Sequence, residues 1–546
     1  MAFQIVLLSG SVAAGKTTLW ELLTKTFPSE SIHILKTKEL IRELASKKLK
    51  AKLPAERRAM QDFGDQLDRE TNGRWVRDGL VRLVNQFINT EASPIFIVDA
   101  VRVVSQIKAI RESYGFSVIH MHLKAPDDEL AKRYERRSSD MKELKSFSEV
   151  VKNKTELQVR ELEKRADVVV DTKECTPEDV LVKTATHIGL FTREYGRLVD
   201  VVVGGEFGSE GKGHIASYLS REYSLLVRVG GPNAGHKVFL EPGPYVHHQL
   251  PSGTLRNFGA KLVIAAGAVI NPESLLDEIR ECRVDHERLS IDPQTMIITD
   301  KDRKAEAGLQ ERISSTAQGV GSATARRIME RGRRVKLAKD IPELKPFVRD
   351  TWELLERTYR AGGRVLVEGT QGTGLSLFHG SYPFVTSRDT TASGCLSEAG
   401  ISPSRVRKII MVCRTYPIRV QNPDGGTSGP LRQELSWEEI ARRAGVSVNK
   451  LKTNERTSTT NRQRRVGAFD WVLLRKNCAI NGPTDIAITF TDYLNPANAE
   501  ARMYEQLSSD TVRFIEDVER VAAAPVTLIS TRFDFRSIID RRTWRI

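Results

Sequence analysis

The sequence predicts an α/β protein of two domains, each built on a parallel sheet covered by helices. The chain has 546 residues, more than one hydrophobic core usually supports. Residues 1–185 alternate apolar strands with amphipathic helical segments, in the order FQIVLLSG, KTTLWELLTKTF, PIFIVDA, SVIHMHLKA and ADVVVDT. The pattern starts again at LVDVVVGGEFG. We therefore place one domain at 1–190 and a larger one at 198–546.

The composition is that of a globular protein, with 40% hydrophobic and 28% charged residues. No apolar run of about 18 residues predicts a membrane helix, and MAFQIVLLSG indicates a buried first strand, not a signal peptide. Five scattered cysteines without a CxxC pair favour a reducing, cytoplasmic setting. The net charge of +14 favours anionic partners. Its even spread, without interleaved aromatic residues, indicates phosphorylated small molecules and argues against nucleic acid.

A phosphate-binding loop follows the first strand. The segment GSVAAGKT matches GxxxxGK[ST] completely and stands between a strand and a helix. Backbone N–H groups at such a turn converge on phosphate oxygens, the lysine adds charge, and the Thr hydroxyl can ligate Mg²⁺. The predicted nucleotide-binding residues are Gly10, Gly15, Lys16, Thr17 and Thr18, with Thr17 also a metal ligand.

Two further features suit phosphoryl transfer in this domain. Asp99 ends an apolar strand, where it could serve Mg²⁺ or simply cap the strand. Arg133, Arg136 and Arg137 stand at helical spacing, as a lid over phosphates or as solvated helix charge. The order of these motifs resembles the nucleoside- and deoxynucleoside-monophosphate kinases over residues 1–185. That resemblance implies that Arg102 grips an acceptor phosphate, and it leaves the acceptor open.

The second domain begins with another glycine turn, EFGSEGKG at 206–213. It is not a second loop of the first kind, because Glu206 stands where glycine is required and Gly213 where Ser or Thr is required. Its glycines can still form an anion-binding nest with Lys212 as a point charge, or a plain structural turn. Downstream, VGGPNAGHKVF puts His236 on a loop directly after a glycine, a position that favours chemistry over packing.

Residues 198–546 resemble the adenylosuccinate synthetases. The motifs that carry this resemblance are EFGSEGKG, GGPNAGHKVF, SSTAQGVG, VEGTQGTGLSLFHGSYPFVTSRDTTASG and TSTTNRQRR. The family implies a carbon–nitrogen ligase of purine biosynthesis and a homodimer. A nucleoside triphosphate with Mg²⁺ phosphorylates O6 of a 6-oxopurine monophosphate, and L-aspartate then displaces that phosphate.

The resemblance assigns residues to five roles. It implies catalytic Ser209, Lys212 and His236, with His236 as the acid at O6 and Gly235 as a metal ligand. Purine monophosphate contacts fall on Asn233, Thr316, Gln371, Thr386 and, lent across the dimer, Arg331. Aspartate contacts fall on Thr459, Thr460 and Arg462. Contacts to the triphosphate fall on Gly208, Glu210, Gly211, Gly213, Arg464 and Asp492.

One departure from the family concerns the substrate. The family has Asp, the base toward purine N1 and a Mg²⁺ ligand, where this chain has Ser209. A shorter residue makes room for the 2-amino group of guanine, and the 2-aminoadenylosuccinate synthetases, a viral and archaeal branch acting on (d)GMP, also have a small residue there. Ordinary chemistry on IMP and loss of activity stay open. So does a nucleotide-sensing or defence protein, although an intact aspartate loop is not needed for sensing.

A second departure concerns the phosphate donor. Phe490 replaces the lysine of the family's guanine-contacting stretch, while Asp492 remains. We therefore expect ATP, dATP or GTP as donor.

Overall fold

We describe a computed structural model of the chain. It describes residues 3–28, 30–49, 57–91, 93–136, 147–151, 154–191, 196–241, 243–332, 335–422, 427–457, 461–532, 534 and 536–542. The chain divides into two compact units, Met1–Glu194 and Tyr195–Ile546. Among the described residues, no helix is long and apolar enough to cross a membrane.

The N-terminal unit contains a five-stranded parallel sheet in the order β2-β3-β1-β4-β5. Its strands are β1 (Gln4–Ser9), β2 (Ile32–Leu35), β3 (Ile95–Val98), β4 (Val118–Lys124) and β5 (Val168–Asp171). Its helices are α1 (Lys16–Thr26), α2 (Thr37–Leu49), α3 (Arg57–Thr71), α4 (Arg74–Phe87), α5 (Val104–Tyr114), α6 (Asp127–Glu135), α7 (Phe147–Val151), α8 (Lys154–Glu161) and α9 (Pro177–His187).

Strand β1 is apolar throughout because both faces of the sheet are covered. Val6 and Leu8 pack into one core, whereas Ile5 and Leu7 pack into the core on the opposite face. The turn after β1 therefore emerges at the carboxyl end of a central strand, between β3 and β4. This is where open parallel sheets bind ligands.

The C-terminal unit is built on a nine-stranded sheet in the order β12-β10-β7-β14-β6-β15-β19-β20-β21, parallel except for the last pair. Smaller sheets pair β8 with β9, β11 with β13, and β16, β18 and β17 in that order. The strands are β6 (Val199–Gly204), β7 (Leu225–Arg228), β8 (His236–Phe239), β9 (Pro244–His247), β10 (Lys261–Ile264), β11 (Val269–Ile270), β12 (Leu289–Ile291), β13 (Met296–Ile297), β14 (Val365–Glu368), β15 (Val406–Arg414), β16 (Ile418–Val420), β17 (Glu434–Leu435), β18 (Arg464–Gly467), β19 (Asp485–Thr489), β20 (Val526–Ser530) and β21 (Ile538–Asp540).

Helices cover both faces of this sheet, and others pack on the smaller sheets. The helices of the unit are α10 (Lys212–Leu219), α11 (Pro272–Glu281), α12 (Asp300–Ile313), α13 (Val320–Glu330), α14 (Thr351–Arg360), α15 (Ala392–Ala399), α16 (Trp437–Ala444), α17 (Val448–Asn454), α18 (Trp471–Asn481) and α19 (Ser509–Ala522). Strand β6 repeats the design of β1, with Val201 and Val203 in one core and Val202 in the other. The predicted α/β fold with parallel sheets is confirmed, and the second glycine turn also leaves the carboxyl end of a central strand.

Candidate functional sites

The first phosphate loop has the backbone that its glycines predict. Gly10 and Gly15 have φ angles of +136° and +94°, and a Cβ on Gly10 would lie 2.2 Å from the carbonyl oxygen of Leu123. Only glycine fits there. Lys16 Nζ donates to the carbonyl oxygens of Gly10 (2.6 Å) and Ser11 (3.0 Å), so the lysine folds over the loop. Thr17 and Thr18 form the first turn of α1.

The loop opens onto a cavity of about 710 Å³, which also contains Asp99, Arg102 and Arg133. Asp99 accepts hydrogen bonds from the backbone N–H (2.8 Å) and hydroxyl (2.7 Å) of Thr37, while burial raises its pKa. Arg102 pairs with Glu156 at 3.0 Å. The structure thus brings most of the predicted residues of this domain together. Arg136 is exposed and does not line the cavity, and Arg137 lies outside the described residues.

Arg133 is anchored at the edge of the same cavity. Its guanidinium donates to the hydroxyl and the carbonyl oxygen of Thr172, both at 2.9 Å, and its Nε pairs with Glu129. The arginine is therefore held at the wall of the cavity, close to where β5 ends.

The second glycine turn is organised around a buried carboxylate. Glu210 is fully buried, and its Oε1 accepts from the backbone N–H groups of Glu206 (3.2 Å) and Gly208 (2.7 Å). Its Oε2 accepts from Lys212 Nζ at 2.5 Å. Gly208 and Gly211 have φ angles of +91° and +85°. The turn is therefore a rigid nest in which Glu210 positions the lysine.

Ser209 sits at the exposed side of this turn, with a φ of +55°. Arg464 Nη2 donates to its hydroxyl oxygen at 3.1 Å, and Arg414 Nη1 donates to its carbonyl oxygen at 3.4 Å. Buried Glu455 pairs with both arginines at 2.8 Å. The serine that departs from the family is thus held by two arginines, which Glu455 connects.

His236 belongs to a buried charged cluster. Its Nδ1 lies 2.6 Å from Arg228 Nη1 and contacts Glu368 Oε1, to which Arg228 also donates at 2.7 Å. Burial and Arg228 lower the pKa of His236 to about 3. Burial would raise the pKa of Glu368, but Arg228 and His236 outweigh it and lower that pKa to about 2. The free site therefore holds a neutral histidine against an ionised carboxylate.

Gly213 explains how the histidine approaches the turn. A Cβ at this position would lie 2.6 Å from Cβ of His236 and 3.0 Å from Oγ of Ser252. Ser252 in turn donates its backbone N–H to Glu368 Oε2 at 2.7 Å. The glycine therefore allows helix α10 to pack directly against the histidine cluster.

The turn and His236 line a cavity of about 740 Å³. Most of the predicted substrate contacts lie along it: Asn233, Gly235, Thr316, Gln371, Thr386, Arg464 and Asp492. Gln371 Nε2 donates to Thr386 Oγ1 at 2.8 Å. Asn233 Oδ1 is buried and has no hydrogen-bond partner within the described ranges.

Four other predicted contacts do not line the described part of the cavity. Arg462 does not line the cavity; its Nη1 reaches the carbonyl oxygen of Ser315 at 3.5 Å. Arg331 is exposed after α13 and donates to the carbonyl oxygen of Ile328 at 2.9 Å, so its role across a dimer stays a prediction. Thr459 and Thr460 lie outside the described residues.

The far end of the cavity follows β19. Phe490 has a φ of +60°, and its ring centroid lies 4.1 Å from the Arg414 guanidinium carbon. Asp492 Oδ1 is buried without a partner in the described part of the chain, and burial raises its pKa to about 7. This end therefore combines an aromatic ring with one free carboxyl oxygen.

Mg²⁺ prefers oxygen ligands and often keeps one or two carboxylates besides the phosphates of its nucleotide. In the N-terminal cavity Thr17 and Asp99 fit that description. In the second cavity the carboxylate of Glu210 pairs with Lys212 and that of Glu455 pairs with Arg414. The hydroxyl oxygen of Ser209 accepts a hydrogen bond from Arg464. Besides the carboxyl oxygen of Asp492, the buried amide oxygen of Asn233 has no hydrogen-bond partner among the described residues. Together with the backbone at Gly235 it would fit an ion held chiefly by phosphates.

Sequence reasoning missed Arg228, Ser252, Glu368, Arg414 and Glu455. Several of their partners are distant in the chain: Arg228 and Glu368 are 140 positions apart, and Arg414 and Glu455 are 41 positions apart. Glu368 carried a local signal, because it is a lone carboxylate at the end of the apolar strand VLVE. Glu455 and Arg414 carried no such signal.

These features define a class: an α/β protein with a phosphate nest and a nucleotide-sized cavity at the carboxyl end of its second sheet. Residues 201–342 and 336–499 match the adenylosuccinate synthetase family, more than half of the chain. The chain belongs to this family, which implies a carbon–nitrogen ligase that joins aspartate to a purine nucleotide. Members of the family use Mg²⁺ and GTP.

Individual relatives agree with this assignment. The adenylosuccinate synthetase of Methanocaldococcus jannaschii is 40% identical over 351 residues, which cover 63% of this chain and 96% of that protein. Succinoaminodeoxyadenylate synthetase (PurZ) of cyanophage S-2L, solved with dGMP and with dATP as energy donor, is 27% identical with a TM-score of 0.53. The alignment covers 64% of this chain and 96% of that structure. Adenylosuccinate synthetase of Plasmodium falciparum shares the fold, with a TM-score of 0.54, 23% identity, and coverage of 64% and 100%.

Proposed function

We propose that residues 198–546 ligate L-aspartate to C6 of a 6-oxopurine monophosphate carrying a 2-amino group. The substrate is (d)GMP and the product 2-amino-(deoxy)adenylosuccinate, with hydrolysis of a nucleoside triphosphate. The N-terminal unit is a (d)NMP kinase fused to this ligase, so that one chain makes an unusual purine monophosphate and handles its phosphorylation.

The observation that carries the proposal is the environment of the Ser209 side chain. Ser209 lines the cavity next to the phosphate nest, and its hydroxyl oxygen accepts a hydrogen bond from Arg464 at 3.1 Å. A hydroxyl oxygen has a second lone pair, which can accept from a 2-amino group. An aspartate would fill that space with a carboxylate next to Arg464. The solved structure of the phage enzyme with dGMP supports the same substrate class.

The surrounding residues suit transfer of a phosphoryl group to O6. The proton on N1 would leave to solvent, because a serine hydroxyl stands where the family has its carboxylate base. Lys212, oriented by Glu210, neutralises charge on the transferring phosphoryl group. His236 is neutral in the free site. It would take up a proton from solvent when the negative charge of the bound nucleotide raises its pKa, and the imidazolium would then act as acid toward O6. The ionised Glu368 next to Nδ1 then stabilises the imidazolium. Such proton transfer contributes about 10²–10⁴-fold. Bound Mg²⁺ would add further charge neutralisation at the phosphates.

The aspartate would be bound by the loop that carries Thr459, Thr460 and Arg462. A guanidinium can grip a carboxylate bidentately, and Arg462 already reaches the backbone beside Thr316. We propose ATP or dATP as donor before GTP, because Phe490 occupies the place of the family's lysine.

In the N-terminal unit, Lys16 and Thr17 would hold the triphosphate, with Asp99 directed at its Mg²⁺. Arg102 would bind the phosphate of the (d)NMP acceptor. Arg133 and Arg137 would contact the phosphoryl group during its transfer. The shared cavity of Lys16, Asp99, Arg102 and Arg133 supports this assignment.

The second candidate is ordinary adenylosuccinate synthesis from IMP. The names of the relatives at 37–40% identity favour it. A protein that only senses nucleotides is the candidate of another class.

A substrate panel separates these candidates. The protein is incubated with L-aspartate, Mg²⁺ and ATP or GTP, together with dGMP, GMP or IMP separately. Phosphate release and the succinylated product are both followed, since release alone could come from the N-terminal unit. We expect product with dGMP or GMP. Product with IMP alone would exclude the proposed substrate, and no product with any of the three would favour sensing.

A further inference from the structure

The end of the ligase cavity beyond the phosphate nest contains a carboxyl group that the mechanism above does not use. Asp492 stands in the turn after β19, and its Oδ1 is buried without a hydrogen-bond partner among the described residues. The turn is fixed from three sides. Thr415 Oγ1 donates to the carbonyl oxygen of Phe490 (2.7 Å), Asn498 Nδ2 to that of Thr491 (2.7 Å), and Thr491 Oγ1 to that of Ser530 (3.3 Å). The backbone that carries Asp492 is therefore fixed, and its Oδ1 has a defined position at the edge of the ligase cavity.

The two forms of a carboxyl group match two different purine edges. An ionised carboxylate only accepts hydrogen bonds, so it suits guanine, which offers donors at N1 and at its 2-amino group. A protonated carboxyl donates one hydrogen bond and accepts another. It therefore suits adenine, which offers an acceptor at N1 and a donor at its 6-amino group. A single side chain can thus favour either base.

We infer that the protonation state of Asp492 selects the base of the phosphate donor. The protonated side chain binds adenine, and the ionised side chain binds guanine. The inference rests on the proposed function in one respect: the nucleotide at this end of the cavity is the phosphate donor.

The surroundings of Asp492 cause its carboxyl group to titrate near neutral pH. Burial and, to a lesser degree, Glu455 raise its pKa, while hydrogen bonds from the backbone N–H groups of Asp492 and Tyr493 and the charge of Arg414 oppose them, so that the pKa is about 7. The charged or titratable groups around this part of the cavity are Glu455, Arg414, Tyr493, Arg464, Arg532 and Lys450. Arg414 and Arg464 both pair with Glu455, and Arg532 pairs with Glu500 and Asp534. No ion pair to Asp492 occurs within the described ranges, so both of its forms are accessible.

The test compares donors across pH. Ligation is measured with ATP and with GTP from about pH 6 to about pH 8, and the ratio of the two kcat/KM values is taken at each pH. Other titrating groups affect both donors and cancel in the ratio. All proteins carry Lys16→Ala, which removes the N-terminal nucleotide site. The ratio of ATP to GTP should fall about tenfold per pH unit.

Two variants make the result specific. Asp492→Asn cannot titrate, and its amide both donates and accepts like the protonated acid. It should prefer ATP at every pH, with a flat ratio. Asp510→Asn, at the exposed start of α19, is the matched control and should keep the slope of the parent protein.

The outcomes also separate the inference from the proposed function. A ratio in the parent that does not change with pH, or GTP preference in Asp492→Asn, would overturn the inference. If neither donor supports ligation, the proposed function fails. The ratio of ATP to GTP dissociation constants in the same proteins then decides the inference, with a pH-independent ratio counting against it.

Discussion

Ser209→Asp is the most informative change in the ligase cavity. The aspartate would restore the family's residue, and its carboxylate would compete with Glu455 for Arg464, which now donates to the serine at 3.1 Å. The longer side chain would also fill the space that we assign to the 2-amino group. Both Asp and Ser tolerate the backbone φ of +55° at this position, so the variant should fold.

The expected loss of activity with dGMP follows from the exclusion of its 2-amino group. A buried donor without its partner costs about 1–3 kcal/mol, which corresponds to a fall of about 5- to 150-fold in kcat/KM for dGMP. Activity with IMP should be kept or increase, because hypoxanthine has only hydrogen at C2 and the aspartate can act as base toward N1. The assay is the initial rate of succinylated product with each nucleotide, with thermal unfolding as a check of folding.

Ser209→Asn is the matched control for this experiment. It has the size of aspartate and lacks the charge. If space is the cause, both variants lose dGMP activity to a similar degree; if charge is the cause, only Ser209→Asp loses it. Unchanged dGMP turnover in both variants would refute the steric reasoning.

Three further predictions follow from the same geometry. Glu368→Gln removes the carboxylate beside His236 and should lower kcat by about 10²-fold or more with little change in KM, whereas unchanged kcat would exclude a role for the acid. Lys16→Ala should abolish phosphoryl transfer to (d)NMP acceptors and leave ligation intact; a parallel loss of both activities would contradict separate sites. Gly213→Ala puts a Cβ 2.6 Å from Cβ of His236, so it should destabilise the fold by about 1–3 kcal/mol in thermal unfolding and displace the histidine, and wild-type kcat would contradict this.

Much of the fold was predictable because its strands are local signals. FQIVLLSG, SVIHMHLKA and ADVVVDT appear as strands Gln4–Ser9, Val118–Lys124 and Val168–Asp171. A strand buried on both faces must be apolar along its whole length, and a glycine turn must follow where phosphate is bound. Neither requirement depends on the rest of the chain, so both could be inferred from short segments.

The pairing of charges was not predictable in the same way. The sequence identified the glycine turns, Lys16, Lys212 and His236, because their residue types are needed at fixed spacings. It also identified Ser209 as a departure from the family. The contact of Ser209 with Arg464 joins residues 255 positions apart. The contact of Glu368 with Arg228 forms where the ends of β14 and β7 meet, and Glu455, directly after α17, pairs with Arg414 at the end of β15. A buried charge is stable only beside a partner, and the packing of distant segments chooses that partner. The local chain therefore determined which groups are available for chemistry, and the tertiary structure determined which of them are paired and which, like the oxygen of Asp492, are left for a ligand.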